Sequence, residues 1–339
     1  MTVRDTSTVA LSPERSIAHF DAVARDWGLE AERTPTGLLV ESQMGTIELT
    51  AAGDGTRITL MSGDAAQLQT LRDLMTERFE GTGVAPVWDR AGAGRPANMS
   101  LATVTGVERI SPSYARIRIE GGDLARFGRG GFHFRLLFGP EGAGWPHLDA
   151  TGATFWPGGL ERWHRPVYTM RAFHHSGGET ARIDFDVFLH EGGRTTEWTR
   201  RLAPGAEIAL TGPGGSGMPP ATGWIGMIAD ETAMPIVSRM LSLCAPETRG
   251  EAVIFVPTRA DIQTLVHPPG VSVRWQCRDR GGPVPGDALD LLSIPDDDRY
   301  VFFAAEREEA LAARARLAKA GLTRSEFLAA VYWSRERTA

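Results

Sequence analysis

The chain has 339 residues, a length typical of two or three domains. Its 42% hydrophobic and 23% charged residues are ordinary for a globular protein, and no apolar run approaches the roughly 18 residues of a membrane span. A net charge of −6 argues against a nucleic-acid partner.

The N-terminus has no apolar signal segment, so we expect a cytoplasmic protein. Cys244 and Cys277 have no metal-ligand spacing, and no metal site is predicted. Lys319 is the only lysine among the 36 basic residues, so any positively charged site must be built from arginine.

Residues 1–95 are predicted to form a small α+β domain. Ser12-Pro13-Glu14 begins a helix, with serine as N-cap and proline in the first turn, and Gly28 ends it. Three short alternating runs follow: Leu38–Glu41, Thr46–Leu49 and Arg57–Met61. A second helix begins after Asp64, which gives the order α-β-β-β-α.

Residues 96–217 are predicted to form an antiparallel β-barrel, because short β-type runs alternate there with Gly/Pro-rich loops. The runs are Leu101–Ile110, Tyr114–Glu120, Phe132–Phe138, Val167–Phe173, Arg182–Leu189 and Glu207–Leu210. The loop 139–164 is rich in Gly, Pro and Trp, and loops of that length are typically functional or mobile.

Thr211–Gly217 contains the spacing G-x-G-x-x-G of a dinucleotide-binding turn. Such a turn must lead directly into a helix, whereas Met218-Pro219-Pro220 follows here and cannot open one. We therefore exclude a Rossmann fingerprint at this position.

The run Arg165-Pro166-Val167-Tyr168-Thr169-Met170-Arg171 combines an aromatic face, a hydroxyl and two guanidinium groups. It resembles the R-x-Y-[ST]-x-R signature of the ferredoxin-reductase-like flavoproteins, especially the siderophore-interacting branch of ferric-siderophore reductases. The resemblance implies that Tyr168 lies against the isoalloxazine, Thr169 bonds near flavin N5, and Arg165 and Arg171 hold phosphate. Pro166 occupies the position of the family's first arginine, because two residues separate Arg165 from Tyr168.

The stretch Leu189–Trp198 reads as a strand end, a glycine turn and a helix start. Thr195 or Thr196 is expected to cap the helix, whose amide groups and dipole then form a pyrophosphate site. The stretch resembles the family's L-H…G-P-A-S-x-W pattern, which implies FAD contacts from His190, Gly193, Thr195, Thr196 and Trp198. For His190, a flavin-ring contact and a packed histidine remain as alternatives.

Residues 218–339 are predicted to form a parallel α/β domain, because apolar strands alternate with helical patterns. These elements are Trp224–Ala229, a helix over 232–244, Ala252–Val256, Val271–Trp275, Arg299–Ala304 and a helix over 305–320. Ligands of such sheets bind at the carboxyl ends of the strands.

The strand ends carry the candidate nucleotide-binding residues. Asp230-Glu231-Thr232 resembles the family's G-D-E-T-A-L-P, and Thr232 is expected to begin the helix. Arg259 follows the second strand and suits a 2′-phosphate, which favours NADPH, with NADH as the alternative. Glu306 ends the last predicted strand, and Trp333 lies in a segment resembling the family's Y-W-R-R. That resemblance implies that Trp333 shields the flavin ring or the nicotinamide pocket.

The resemblance covers nearly the whole chain and implies an FAD-dependent NAD(P)H reductase that releases Fe(II) from a ferric siderophore. Tyr168, Thr169 and Trp333 are the predicted catalytic residues. Residues 1–95 resemble a small domain of unknown function that accompanies some members. An anionic ferric chelate requires a basic pocket, and three arginines are candidates for it: Arg135, Arg194 and Arg239.

Two alternatives remain open at this point. One is an NAD(P)H:flavin oxidoreductase with a non-iron acceptor. The other is a non-catalytic siderophore-binding module that keeps the fold, and the displaced Arg165 favours it. The sequence does not specify an oligomeric state.

Overall fold

The computed structural model describes residues 2–26, 29–42, 44–89, 92–215 and 217–335. The predicted helix end at Gly28 and Ser216 of the glycine-rich run lie outside the described residues. Within the described residues no helix is long and apolar enough to cross a membrane.

The chain divides into two compact units, each of which is made of three separate stretches of the chain. The first comprises Met1–Ser100, Leu136–Pro166 and Ala209–Gly212, and the second comprises Leu101–Arg135, Val167–Ile208 and Pro213–Ala339. The three domains predicted from the sequence, at 1–95, 96–217 and 218–339, stay a prediction.

The N-terminal residues form an antiparallel sheet with two helices. The elements are β1 Val3–Val9, α1 Pro13–Asp26, β2 Ala31–Thr34, β3 Gly37–Ser42, β4 Gly45–Ala52, β5 Gly55–Ser62 and α2 Ala65–Glu80. The sheet has the order β1-β5-β4-β3-β2. Its core contains apolar residues from both helices and from the strands, among them Phe20, Leu38, Ile58 and Phe79.

The predicted order α-β-β-β-α is wrong because it lacks β1 and β2. β1 was missed because two of its three buried positions are the polar Asp5 and Ser7. Asp5 is compatible with burial because it forms an ion pair with Arg72 of α2. β2 has only four residues, and neither face of it is continuously apolar.

Each run predicted as β-structure in residues 96–217 contains a strand, although one run contains parts of two. The elements are β6 Met99–Ser111, β7 Tyr114–Gly121, β8 His133–Leu137, β9 His147–Leu148, β10 Thr154–Phe155, β11 Val167–Thr169, β12 Ala172–Gly177, β13 Thr180–Phe188, α3 Arg194–Arg201 and β14 Glu207–Gly214. β14 runs through the first half of the glycine-rich run, which confirms that this run is not a Rossmann turn.

The predicted single strand Val167–Phe173 is in fact two strands, β11 and β12, separated by Met170 and Arg171. The seven-stranded sheet has the order β11-β8-β14-β6-β7-β13-β12, so these consecutive strands stand at its two ends. The Met170 amide donates to the Phe132 carbonyl (2.8 Å) and the Arg171 amide donates to the Asp184 carbonyl (2.7 Å). The bend therefore closes the sheet into a barrel.

The C-terminal residues form a parallel sheet with helices, as predicted, but the sheet has a fifth strand, Phe327–Trp333, that was not predicted. The elements are β15 Trp224–Ala229, α4 Met234–Leu243, β16 Arg249–Val256, β17 Gly270–Cys277, β18 Arg299–Glu306, α5 Arg307–Lys319 and β19 Phe327–Trp333. All neighbours in the order β17-β16-β15-β18-β19 are parallel. The strand order reverses between β15 and β18, and ligands of open parallel sheets bind at such a switch point.

The long loop 139–164 belongs to the same compact unit as the N-terminal sheet. The Thr154 amide and hydroxyl donate to the Asp73 carboxylate of α2, at 3.1 and 2.9 Å. Gln69 and Asn98 donate to the same carboxylate, and the Trp88 amide donates to the Thr151 carbonyl. Burial raises the pKa of Asp73 in spite of these hydrogen bonds. The N-terminal domain therefore holds the loop in one conformation.

We expect Asp73→Ala to lower the free energy of unfolding by about 2 kcal/mol, because several donors then lose a charged acceptor. Urea denaturation measures the change, and limited proteolysis within 139–164 measures release of the loop. Glu77→Ala is the matched control, since Glu77 is an exposed residue of the same helix. Equal urea midpoints for the two variants would show that Asp73 does not hold the loop.

Candidate active site

The bent strand β11–β12 positions the residues of the first predicted motif. Tyr168 lies opposite Phe134 in the ladder, and its ring lies 5.5 Å from that of Phe185, centroid to centroid. Burial raises the pKa of Tyr168 to about 12, against a hydrogen bond with the Thr195 side chain that lowers it. The phenol is therefore protonated at neutral pH. The ring contacts Phe185, and the hydroxyl lies beside Thr195.

Thr169, Tyr332 and His133 lie next to one another. The buried Thr169 side chain lies beside Tyr332, whose hydroxyl lies 3.0 Å from Nε2 of His133. Burial lowers the pKa of His133 to about 4, so its imidazole is neutral at pH 7. Burial also raises the pKa of Tyr332, which stays protonated.

Sequence reasoning missed both His133 and Tyr332. Tyr332 directly precedes the predicted Trp333, and His133 is the register partner of Thr169 across β8 and β11. The C-terminal motif was a sequence signal for Tyr332. The proximity of His133 could be known only from the strand register, which the sequence does not show.

Arg171 lies beside a carboxylate that another arginine already occupies. Arg116 binds Asp186 through two hydrogen bonds of 2.7 and 2.9 Å, whereas Nε of Arg171 is 3.7 Å from Asp186. Burial, together with the charge of Arg116, lowers the pKa of Arg171 in spite of the attraction of Asp186 and Asp184. Its Nε is buried and has no hydrogen-bond acceptor. The positive charge of the Arg171 guanidinium is therefore only partly neutralised.

Arg165 belongs to the first compact unit, whereas Tyr168, Thr169 and Arg171 belong to the second. Its guanidinium lies over the ring of Trp156, 5.0 Å from the centroid, in the long loop. The predicted phosphate contact of Arg165 stays a prediction.

Helix α3 begins at Arg194, with Gly193 as its N-cap residue, and no side chain caps it. The prediction that Thr195 or Thr196 caps the helix is wrong, because both threonines lie buried inside the first turn. There the Thr195 side chain bonds to Tyr168, and the Thr196 hydroxyl accepts from the His190 amide at 3.2 Å. An uncapped helix start leaves backbone amides and a positive dipole end for an anion.

The turn before α3 is closely packed around Gly193. A Cβ at this position would lie 2.7 Å from the His190 ring and 2.9 Å from the Thr196 hydroxyl oxygen. The exposed His190 ring stacks on Phe188, with 6.1 Å between the centroids, and its flavin contact stays a prediction. Trp198 is half-buried on the helix that follows.

Asp230 organises the carboxyl end of β15. Its buried carboxylate accepts from the Thr232 amide (2.9 Å) and hydroxyl (2.6 Å), and from the Trp333 indole at 2.7 Å. The helix begins at Met234, so the prediction that Thr232 begins it is wrong. The physical reason is that Asp230 draws Thr232 and Ala233 into a turn before the helix. The structure brings Asp230, Thr232 and Trp333 together.

Glu306 and Arg259 occupy different environments at the strand ends. The Glu306 carboxylate accepts from the Arg335 amide (3.1 Å) and the Glu308 amide (2.7 Å), and the bond from Arg335 is the main cause of its lowered pKa. Glu306 therefore caps α5 and holds the C-terminal segment. Arg259 is exposed.

Glu231 lies 2.9 Å from Nε of Arg278, a residue that sequence reasoning missed. Burial raises the pKa of Glu231, against the lowering effect of Arg278. Arg278 also lies over the Phe255 ring and lines a cleft at the ends of β16 and β17. Its position directly after β17 is the signal that identifies it.

A family model for the siderophore-interacting FAD-binding domain matches residues 103–217, and a model for siderophore-interacting protein matches residues 222–336. The two matches together span more than half of the chain. The chain belongs to the siderophore-interacting protein family. Residues before 103 lie outside both matches.

The names of two relatives are consistent with this family. The chain is 27% identical over 241 residues to the ferric vibriobactin reductase ViuB of Vibrio cholerae, across 67% of this chain and 86% of the relative. It is 29% identical over 215 residues to the NADPH-dependent ferric-chelate reductase of Escherichia coli, across 60% of this chain and 80% of the relative.

Solved structures show the same fold. A siderophore utilization protein from T. fusca has a TM-score of 0.60 and 25% identity, covering 70% of this chain and 93% of that chain. The siderophore-interacting protein SipS from Aeromonas hydrophila has a TM-score of 0.57 and 24% identity, covering 70% and 99%.

The residues present fit the FAD that the family's barrel domain binds. Arg171 has a buried Nε without an acceptor, and α3 has an uncapped N-terminus, so both suit phosphate groups. The partly exposed Tyr168 offers an aromatic face for a planar ring.

We expect Gly193→Ala to weaken FAD binding by about tenfold, because the new methyl group overlaps His190 and Thr196 and displaces the α3 turn. The φ of −73° at Gly193 suits any residue, so overlap alone causes the effect. FAD titration of the apoprotein, followed by flavin fluorescence, measures it. Gly122→Ala is the control, since a Cβ there meets no atom within 4 Å. Unchanged affinity in Gly193→Ala would exclude this turn from the FAD site.

Proposed function

We propose that this protein is an FAD-dependent NADPH reductase of ferric siderophores, which releases Fe(II) in the cytoplasm. One observation carries the proposal. The Thr169 side chain of the barrel lies beside Tyr332, and the next residue, Trp333, donates to Asp230 at the end of β15 at 2.7 Å. The predicted flavin-contacting and nucleotide-contacting residues are thereby joined through two adjacent side chains. The names of the Vibrio and Escherichia relatives support the ferric substrate and NADPH.

The orientation of the nucleotide domain on the barrel supports hydride transfer. Tyr114 donates to the Glu231 carbonyl at 2.8 Å. Asp261 accepts from the Ser111 hydroxyl and the Ser113 amide, both at 2.8 Å, and also binds Thr258. Burial raises the pKa of Asp261, but these hydrogen bonds outweigh it and hold the pKa below its usual value. A fixed orientation keeps a donor and an acceptor within transfer distance.

FAD, when bound, supplies a carrier that accepts two electrons from a nicotinamide and releases them one at a time. The role that we propose for Trp333 is to cover this region and to be displaced when the nicotinamide arrives. Its indole is held by a single hydrogen bond to Asp230, and its ring is only half-buried. Both properties support a removable cover.

The proposed role of Thr169, Tyr332 and His133 is to move a proton. The Thr169 hydroxyl would take up the proton released when the flavin is reoxidised and donate its own proton to the Tyr332 oxygen, while Tyr332 would donate its own proton to Nε2 of His133, so that each hydroxyl ends with one proton. The neutral imidazole can accept because burial lowers the pKa of His133 to about 4. It then releases the proton readily for the same reason.

Two of the arginines predicted for an anionic chelate are exposed. Arg135 lies in β8 opposite the exposed Val167, and Arg194 begins α3. We propose that these two attract the ferric chelate. Arg239 is partly buried and lies over the Phe132 ring.

We expect NADPH to bleach the flavin absorbance of the FAD-reconstituted protein under anaerobic conditions. A ferric siderophore should then restore the band, with Fe(II) trapped by a chelator in a ratio of about two per flavin. Stopped-flow absorbance measures both steps.

Each other outcome identifies an alternative. Bleaching without recovery by ferric chelates would indicate a flavin oxidoreductase with a non-iron acceptor. Absence of FAD binding would indicate a non-catalytic siderophore-binding module. Titration with a gallium siderophore, which cannot be reduced, separates substrate binding from electron transfer.

We expect Tyr332→Phe to slow flavin reoxidation by the ferric siderophore by about 10²-fold, because phenylalanine cannot pass a proton. The NADPH concentration for half-saturation should stay unchanged. The solvent deuterium isotope effect on reoxidation should differ from that of the native protein, and NMR of the apoprotein should show an altered His133 ring signal. Tyr300→Phe, in β18, is the control, and equal reoxidation rates in both variants would exclude the relay.

A further inference from the structure

Arg239 of α4 is a partly buried arginine without an acidic partner. Its guanidinium lies over the Phe132 ring, 4.5 Å from the centroid, and its Nε is buried with no hydrogen-bond acceptor. Among the described residues no carboxylate forms an ion pair with it. Burial lowers the pKa of Arg239, and the positive charge of Arg171 lowers it further.

Arg171 shares this lack of neutralisation. Its nearest carboxylate, Asp186, is bound by Arg116 through both oxygens. Asp184 lies within 3.7 Å of Arg118 and 3.4 Å of Arg182. The charge around Arg171 and Arg239 is therefore positive overall. Phe132, whose ring carries the Arg239 guanidinium, accepts from the amide of Met170 at 2.8 Å, and Arg171 is the next residue. Two neighbouring, partly buried positive charges destabilise each other unless an anion lies between them.

The donor geometry indicates which anion this is. Each arginine has a buried Nε–H that lacks an acceptor, and a guanidinium offers further N–H groups in the same plane. Phosphate groups match such planar forks with two oxygens each, and a diphosphate carries enough oxygens for two forks. The Phe132 ring holds the Arg239 fork in place.

We propose that Arg239 and Arg171 together bind a diphosphate, so that one nucleotide is gripped both from the barrel and from helix α4. Only the identity of that nucleotide, FAD or NADPH, rests on the function proposed above. The site gives Arg239 a role in positioning: a diphosphate held from both domains fixes α4 against the barrel. Arg239 is then not part of the basic pocket for the ferric chelate, where the sequence had suggested it.

The test uses the full-length apoprotein and inorganic pyrophosphate. Calorimetric titration should show binding to the native protein, and Arg239→Gln should weaken it about tenfold or more. Arg239→Lys should give an intermediate loss, because it keeps the charge but not the fork. Arg249→Gln, at an exposed arginine of β16, should bind as the native protein does.

Thermal stability provides a second measurement. Pyrophosphate should raise the Tm of the native protein but not that of Arg239→Gln. Without pyrophosphate, Arg239→Gln should melt at or above the native Tm, since it removes a repulsive charge. An arginine that served only for packing on Phe132 would instead lower the Tm on substitution, with or without the anion.

Competition identifies the nucleotide. If FAD supplies the diphosphate, FAD-loaded protein no longer binds pyrophosphate. If NADPH supplies it, FAD-loaded protein still binds pyrophosphate and NADPH displaces it. No pyrophosphate binding by the native apoprotein, or equal binding by Arg239→Gln, would overturn the proposal. These measurements do not depend on ferric reduction. The anion site can therefore be present in a protein that does not reduce ferric siderophores, and a reductase can lack the anion site.

Discussion

Two backbone hydrogen bonds at the bend between β11 and β12 constrain the whole candidate site. The amide of Met170 donates to the carbonyl of Phe132, which directly precedes β8, and the next amide, of Arg171, donates to that of Asp184 of β13. The chain must change partners within one residue, so the side chains around the bend diverge. Tyr168 and Thr169 are fixed before the bend, and the Arg171 guanidinium is fixed after it. The two hydrogen bonds that close the barrel therefore also set the positions of the site residues.

The same bend explains the unusual charge pattern beside it. β13 supplies Asp184 and Asp186, which neutralise arginines from β7 and β13. Arg171 lies 3.7 Å from Asp186, and both carboxylates already have other arginine partners. A buried cation that is incompletely paired costs free energy in the unliganded protein, and proteins retain such costs mainly at functional sites. The stabilising partner of Arg171 is then the ligand itself.

The sequence was sufficient for the parts that depend on local pattern. Four of the five strands of the parallel sheet and five of the six barrel runs follow from periodicity, whereas β19 was missed and the run Val167–Phe173 is two strands. Parts that depend on long-range pairing did not follow. Tyr332 and His133 are 199 residues apart, and β1 places polar Asp5 in the interior because Arg72 of a distant helix pairs with it. The threonines of α3 were misassigned as caps because the Tyr168 hydroxyl and the His190 amide take their side chains.

The attachment of loop 139–164 to the N-terminal domain has a consequence for synthesis on the ribosome. β1 to β5 pair within the first 62 residues, so this sheet can form early. The bonds from Thr154 to Asp73 span 81 residues, and the compact unit is complete only with Ala209–Gly212. The nascent domain therefore presents an unfinished helix face while more than a hundred further residues are translated, a delay that long-range contacts impose on folding. The N-terminal sheet is therefore translated well before the segments that complete its compact unit.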